Sequence, residues 1–164
     1  VLCGYPVMAM LRRPTRPSGG KANLHQGAIG VGVDLATGIT LEGTWHNRVI
    51  QRHPDTANLV AGVQLPDWTG FLDIAAGCYE LTGLGYLGVD LVLDKDRGPL
   101  MLELNARPGL NIQIANASGL AARCAVVEAR MAARARAGEP EELSTARISF
   151  CQDQFTTHMA ATQA

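Results

Sequence analysis

Asp90, Glu103 and Asn105 are the residues of this chain whose types and spacing could do chemistry. They sit in two apolar runs, 86–93 and 99–105, joined by "DKDRGP". Side chains alternate between the faces of a strand, so Met101, Glu103 and Asn105 share one face while Leu100, Leu102 and Leu104 share the other. A turn centred between Asp96 and Arg97 sets Leu93 opposite Leu100, Leu91 opposite Leu102 and Val89 opposite Leu104. Asp90 then falls beside Glu103, with Asn105 one step further along. Two adjacent carboxylates repel unless they share a proton or a cation. Three oxygen donors on a rigid hairpin suit Mg²⁺ or Mn²⁺, which keep waters and take their remaining ligands from phosphates. No histidine or cysteine joins them, which weighs against zinc. On a solvated sheet face the same acids would simply pair with lysine or arginine, and spacing alone leaves both readings open.

A complementary charge lies in the first third of the chain. Arg12, Arg13, Arg16 and Lys21 precede the first acid, Asp34, while the whole chain carries a net charge of −1. "GGKANLHQG" adds Asn23 and His25 between glycines, a loop type whose backbone N–H groups can approach an anion. Cations converging on a magnesium cluster would meet the electrostatic need of phosphoryl transfer. Four basic residues in an ordinary exposed loop are the plainer alternative.

These residues need a scaffold. Residues 6–14 read as a strand entered through the Gly4–Tyr5–Pro6 turn, and 13–27 as a loop rich in proline and glycine. "AIGVGVDL" sets Ile29, Val31, Val33 and Leu35 against Gly30, Gly32 and Asp34, giving a strand with one small face. That face is either a site of tight packing or room for a ligand. A second strand follows near 39–46, and 47–65 reads as irregular. "PDWTGFLDIAAGCYELTGLG" is an amphipathic helix with Trp68, Phe71, Leu72, Ala75 and Leu81 at helical spacing, Asp67 at its start and Gly83 or Gly85 as its stop. Helices are expected around 110–117 and 120–137, and one more after 144 with Ile148, Phe155 and Met159 on a face. This order predicts an α+β domain with a mostly antiparallel sheet packed with helices.

Composition narrows the function classes. With 47% hydrophobic and 18% charged residues, the chain can bury a core and is not disordered. Its near-neutral balance gives no reason to expect nucleic acid or an acidic membrane as partner. Cys3, Cys78, Cys124 and Cys151 form no CxxC pair, which suits reduced thiols and a cytoplasmic protein. No apolar run is long enough for a membrane span. "VLCGYPVMAML" begins inside what reads as a strand and turn, so a truncated or processed chain is expected.

"VMAMLRRPT…GGKANLHQGA" followed by "GLGYLGVDLVLD…GPLMLELNARPGL" resembles the C-terminal half of the ATP-grasp ligases, with the RimK-like alpha-L-glutamate ligases as the nearest type. The resemblance covers about residues 6–120. It implies that 1–137 is the metal- and phosphate-binding C-terminal lobe and 138–164 a partly helical tail. It further implies ATP and two Mg²⁺ (or Mn²⁺) ions held by Asp90, Glu103 and Asn105, with Glu103 bridging. Arg12 or Arg13 would act on the transferring phosphoryl group, and Asn23, His25 and Lys21 would contact phosphate or an acyl-phosphate. Lys21 stands where arginine is common, so it keeps charge and loses the bidentate fork. Arg107 either contacts a substrate carboxylate or phosphate, or caps the following turn. Gly88 replaces the arginine that D-alanine–D-alanine ligases carry two residues before the metal aspartate.

The implied activity is an ATP-dependent carboxylate–amine ligation through an acyl-phosphate. Its partners would be a small-molecule or peptide carboxylate and an amine, glutamate among the candidates, together with a missing N-terminal ATP-grasp lobe. Homo-oligomerisation is left open. The alternative is a non-catalytic orphan half-domain that binds phosphate or a partner.

Overall fold

The computed structural model describes residues 1–156. Four strands, β1 (Ala9–Arg13), β2 (Ile29–Val33), β3 (Thr40–Trp45) and β4 (Arg48–Ile50), form an antiparallel sheet in that order. Helix α1 (Trp68–Thr82) leads to a separate two-stranded sheet, β5 (Gly88–Asp94) and β6 (Gly98–Asn105). Helices α2 (Asn111–Ala115), α3 (Leu120–Arg136) and α4 (Ser144–Gln154) follow. The architecture is α+β with antiparallel sheets and helices.

The alternation in β2 explains the larger assembly. Ile29 and Val31 are fully buried and pack with Val60, while the opposite face carries Gly30 and Gly32. A Cβ at Gly32 would lie 2.6 Å from the carbonyl oxygen of Ala115, and one at Gly30 would lie 3.3 Å from both Leu24 and Met10. The small face is therefore where α2 packs directly on the sheet, and it leaves no room for a ligand. Asn116 closes this contact by donating its amide to the carbonyl of Ala9 at 2.9 Å.

The main core joins Tyr5, Val7 and Leu35 to Leu72 and Ala76 of α1, Val127 of α3, and Ile148 and Cys151 of α4. Each buried valine, leucine or isoleucine among them contributes roughly 1.5–3 kcal/mol. Phe155 also belongs to this core, whereas Met159 lies outside the described residues. No helix among the described residues is long and apolar enough to cross a membrane.

Three expectations change. The strand foreseen at 6–14 is shorter: β1 runs Ala9–Arg13, and the Val7 carbonyl ahead of it accepts from the Arg123 side chain instead of a strand. The segment 47–65 is not wholly irregular: His46 and Asn47, at φ 47° and 59°, make a two-residue hairpin turn that opens β4. Both residues adopt the left-handed conformation such turns need without glycine's help, so the usual marker is missing. Leu81 is 80% exposed, since the last turn of α1 runs beyond the core that holds Leu72, Ala76 and Cys78.

Candidate functional site

The site is built on the β5–β6 hairpin. Gly88 pairs with Asn105, Val89 with Leu104 and Asp90 with Glu103, which sets the two acids directly opposite each other. Beyond this point the register slips. Leu91 pairs with Met101, Val92 with Leu100 and Leu93 with Pro99, so the expected Leu91–Leu102 and Leu93–Leu100 pairs do not form.

The turn is the cause. One side-chain oxygen of Asp94 accepts the backbone N–H groups of Asp96 and Arg97, both at 2.9 Å, and Gly98 takes φ 75°. This closes a three-residue loop, Lys95–Arg97, between the Asp94–Gly98 pair, where the expected turn was centred between Asp96 and Arg97. A bulge between Asp90 and Leu91 absorbs the difference and leaves Leu102 unpaired and 67% exposed. The alternation at the acidic end is thereby preserved.

Two cationic or donor groups already touch the acids. The Arg12 guanidinium lies 2.7 Å from Asp90, and the Asn105 amide donates to Glu103 at 2.9 Å. Arg12 reaches across from β1, where it pairs with Gly30, and so ties the four-stranded sheet to the hairpin. Arg13 points to the other face and donates to the carbonyl of Leu59 at 3.4 Å.

The loop after β1 folds on itself rather than onto the acids. Buried Thr15 donates to the carbonyl of Gly27 at 2.8 Å, and Ser18 donates to the carbonyl of Thr15 at 2.9 Å. Asn23 accepts the His25 N–H at 3.0 Å and caps the single 3₁₀ turn Leu24–Gln26. Lys21, His25 and Arg107 are exposed. Among the described residues, no hydrogen bond or ion pair joins Arg13, Lys21, Asn23, His25 or Arg107 to Asp90 or Glu103. The structure thus brings together Arg12, Asp90, Glu103 and Asn105 and leaves the other candidates apart.

One supporting pair escaped the sequence. A Cβ at Gly88 would lie 2.7 Å from Pro108, so the absent side chain at 88 lets the Pro108 turn fold over the start of β5 beside Asn105. The pairing of a bare glycine with "RPG" across the hairpin was the available hint. A broad recess of about 510 Å³ runs along α2 from Leu110 to Gly119 and contains none of the candidate residues.

The donor set fits a hard cation that retains solvent or phosphate ligands. Among the described residues, no three His, Cys, Asp or Glu side chains are grouped to hold a metal ion. The protein would offer two carboxylates and one amide oxygen, too few for a closed cage and suited to Mg²⁺ or Mn²⁺.

A family model described as sugar-transfer associated ATP-grasp matches residues 1–129. The chain belongs to this ATP-grasp family. No curated protein and no solved structure matches it. The match gives the RimK-like branch no support, so the ATP-grasp identity stands at the level of the sugar-transfer associated family.

Proposed function

We propose that this ATP-grasp domain is the metal- and phosphate-binding C-terminal lobe of an ATP-dependent carboxylate–amine ligase. The observation that carries the reading is the Asp90–Glu103 pair, set side by side with Asn105 on Glu103 and Arg12 on Asp90. Asp90, Glu103 and Asn105 would hold two Mg²⁺ (or Mn²⁺) ions, with Glu103 reaching both. When bound, those ions neutralise charge on the phosphate oxygens of ATP.

The rest is work for the chain's own residues. Arg12 needs only to leave Asp90 to meet a transferring phosphoryl group, and its planar fork suits that geometry. Arg13 lies on the opposite face of β1, donating to the Leu59 carbonyl, so Arg12 is the one of the two that stands beside the acids. Lys21, His25 and Arg107 are exposed, and Asn23 keeps its amide N–H groups after capping, so all four are available to phosphate or substrate. In the first step a substrate carboxylate oxygen takes the γ-phosphoryl group, releasing ADP. An amine nitrogen then attacks the acyl carbon, phosphate leaves with the C–O electron pair, and the nitrogen sheds a proton. The family's association with sugar transfer points the carboxylate or the amine toward a sugar-bearing molecule, in preference to the glutamate of RimK-like enzymes.

Calorimetric titration of the complete protein with Mn²⁺ and ADP tests the assignment. The parent should show saturable Mn²⁺-dependent binding, and Glu103→Gln should lose it while keeping the parent's far-UV spectrum. Equal binding in both proteins would overturn the metal role.

A further inference from the structure

Among the described histidines only His53 is buried, at 6% exposure, and both of its ring nitrogens are engaged. It opens a tight turn after β4, where Ala57 N–H donates to the His53 carbonyl at 2.9 Å and His53 N–H donates to the Asn58 carbonyl at 2.8 Å. Nε2 lies 2.9 Å from the carbonyl oxygen of Pro14, and Nδ1 lies 3.2 Å from the backbone nitrogen of Asp55. A carbonyl can only accept and a backbone N–H can only donate. The ring that satisfies both carries its proton on Nε2, leaves Nδ1 bare and is neutral.

This turn holds the basic loop after β1 at two points. Pro14 is tied by the imidazole, and the Arg16 N–H donates to Asp55 Oδ2 at 2.8 Å. Between them, the Thr15 hydroxyl donates to the Gly27 carbonyl at 2.8 Å, which also accepts from the Trp45 indole at 2.8 Å. Gly27 ends the Leu24–Gln26 turn, and Leu24 packs over Gly30, the β2 partner of Arg12. Paired residues share a sheet face, so this turn stands on the face from which Arg12 reaches Asp90.

We propose that His53 and Asp55 form a proton-sensitive tie on the basic loop, in which protonation of His53 draws Asp55 away from Arg16. The carboxylate oxygen that holds Arg16 lies 3.9 Å from Nδ1. A proton on Nδ1 turns an acceptor into a donor, so the Asp55 N–H loses its partner and the charged ring attracts that carboxylate. Once Oδ2 moves to the new N–H, the Arg16 N–H has no acceptor and the loop is untied there. The bond to Pro14 is kept and becomes charge-assisted. The charged groups around the ring are Asp55 on its own turn, Arg52, which donates to the Ala57 carbonyl, Arg13, which donates to the Leu59 carbonyl, and Arg16 itself. The tie stands on this geometry alone; its effect on activity rests on the reading of Lys21, Asn23 and His25 as phosphate contacts.

The test follows amide hydrogen exchange in the full chain, without nucleotide or metal, at about pH 7.5 and about pH 5.5, a span across which histidine changes charge. Exchange is expressed as protection relative to the intrinsic rate at each pH, with Val31 and Val33 of β2 marking an intact fold. Protection of the Arg16 amide should fall by about tenfold at the lower pH in the parent and stay level in His53→Gln, which cannot take up the proton. In the parent at the higher pH, the ring ¹⁵N shifts should show a proton on Nε2 and none on Nδ1. A parent whose Arg16 protection is the same at both pH values, an equal fall in the two proteins, or a proton on Nδ1 at the higher pH would overturn the proposal. No readout here involves Mn²⁺ or ADP, so its failure is distinct from failure of the metal assignment.

Discussion

Two clusters of arginine and carboxylate in this molecule look alike in sequence and behave oppositely in space. Between α3 and α4, Glu142 is 8% exposed and accepts from Tyr5 at 2.6 Å and from both Nε, at 3.0 Å, and a terminal nitrogen of Arg130. Arg147 is buried, pairs with Glu80 and donates to the Glu142 carbonyl at 2.5 Å, while Arg134 pairs with Glu139. Three arginines there face three acids, and Phe150 packs 4.2 Å beneath the Arg130 guanidinium. At the hairpin one arginine faces two acids, and both Arg12 and Asp90 are about a third exposed. The first cluster is balanced in charge and centred on buried Glu142 and Arg147, which makes it a clamp on the core. The second keeps surplus negative charge and open coordination, which is what a cation with further ligands requires.

Breaking the open cluster should cost the most, and in turnover. Glu103→Gln keeps an acceptor for Asn105 and removes the charge, so on the proposed ligase reading turnover should fall by about 10²–10³. The unfolding midpoint should barely move. Steady-state kinetics beside a thermal melt distinguishes this from a folding defect.

The closed cluster should fail in stability. Glu142→Gln breaks a buried charge pair, and about 2 kcal/mol of unfolding free energy should be lost, moderated by the partial exposure of Arg130. Hydrogen bonding from Arg130 holds the Glu142 carboxyl below its ordinary value of 4.5, and burial opposes that shift only in part. A carboxyl lowered in the folded state stabilises fully above the ordinary value, and that stabilisation is lost as pH falls through the lower folded value. Urea titrations of parent and variant should therefore converge in strongly acid buffer and be fully separated above about pH 5. A pH-independent gap would mean that packing, not charge, holds α4.

Gly88→Ala should sharpen the contrast by moving the open cluster without touching a ligand. The new Cβ would lie 2.7 Å from Pro108 and 3.6 Å from the Cβ of Asn105, so the turn must give, at about 1 kcal/mol of stability. The larger consequence should be weaker Mn²⁺ binding, because Asn105 shifts against Glu103. Unchanged affinity would show that Asn105 is not part of the donor set.

What the sequence could and could not reveal follows from the range of each interaction. Alternation places Asp90 against Glu103 because any slip would bury an acid, and that local rule survives. It does not foresee the Asp94 side chain capturing two backbone N–H groups, so the leucine pairs further out were misplaced. The small face of β2 was ambiguous until α2, more than eighty residues on, was seen to fill it. Glu142 and Tyr5 are 137 positions apart, beyond any periodic pattern. "NLHQGA" and "ELNARPGL" point to the superfamily, and short motifs shared across a superfamily do not choose among its branches.

The smallest effect is also the most diagnostic, because it has opposite signs in two assays. Arg12 and Asp90 form a partly exposed pair, which is worth about 0.2–1 kcal/mol. Arg12→Gln should therefore change unfolding free energy by about 0.5 kcal/mol or less. On the proposed metal-site reading, however, the guanidinium would compete with the cation for the same carboxylate. Removing it should tighten binding of Mn²⁺ without nucleotide by about two- to fivefold, while turnover with ATP falls. If Mn²⁺ instead bound more weakly and stability dropped as far as in Glu142→Gln, Arg12 would be a clamp like Arg130, and the hairpin would be a second structural cluster rather than a site.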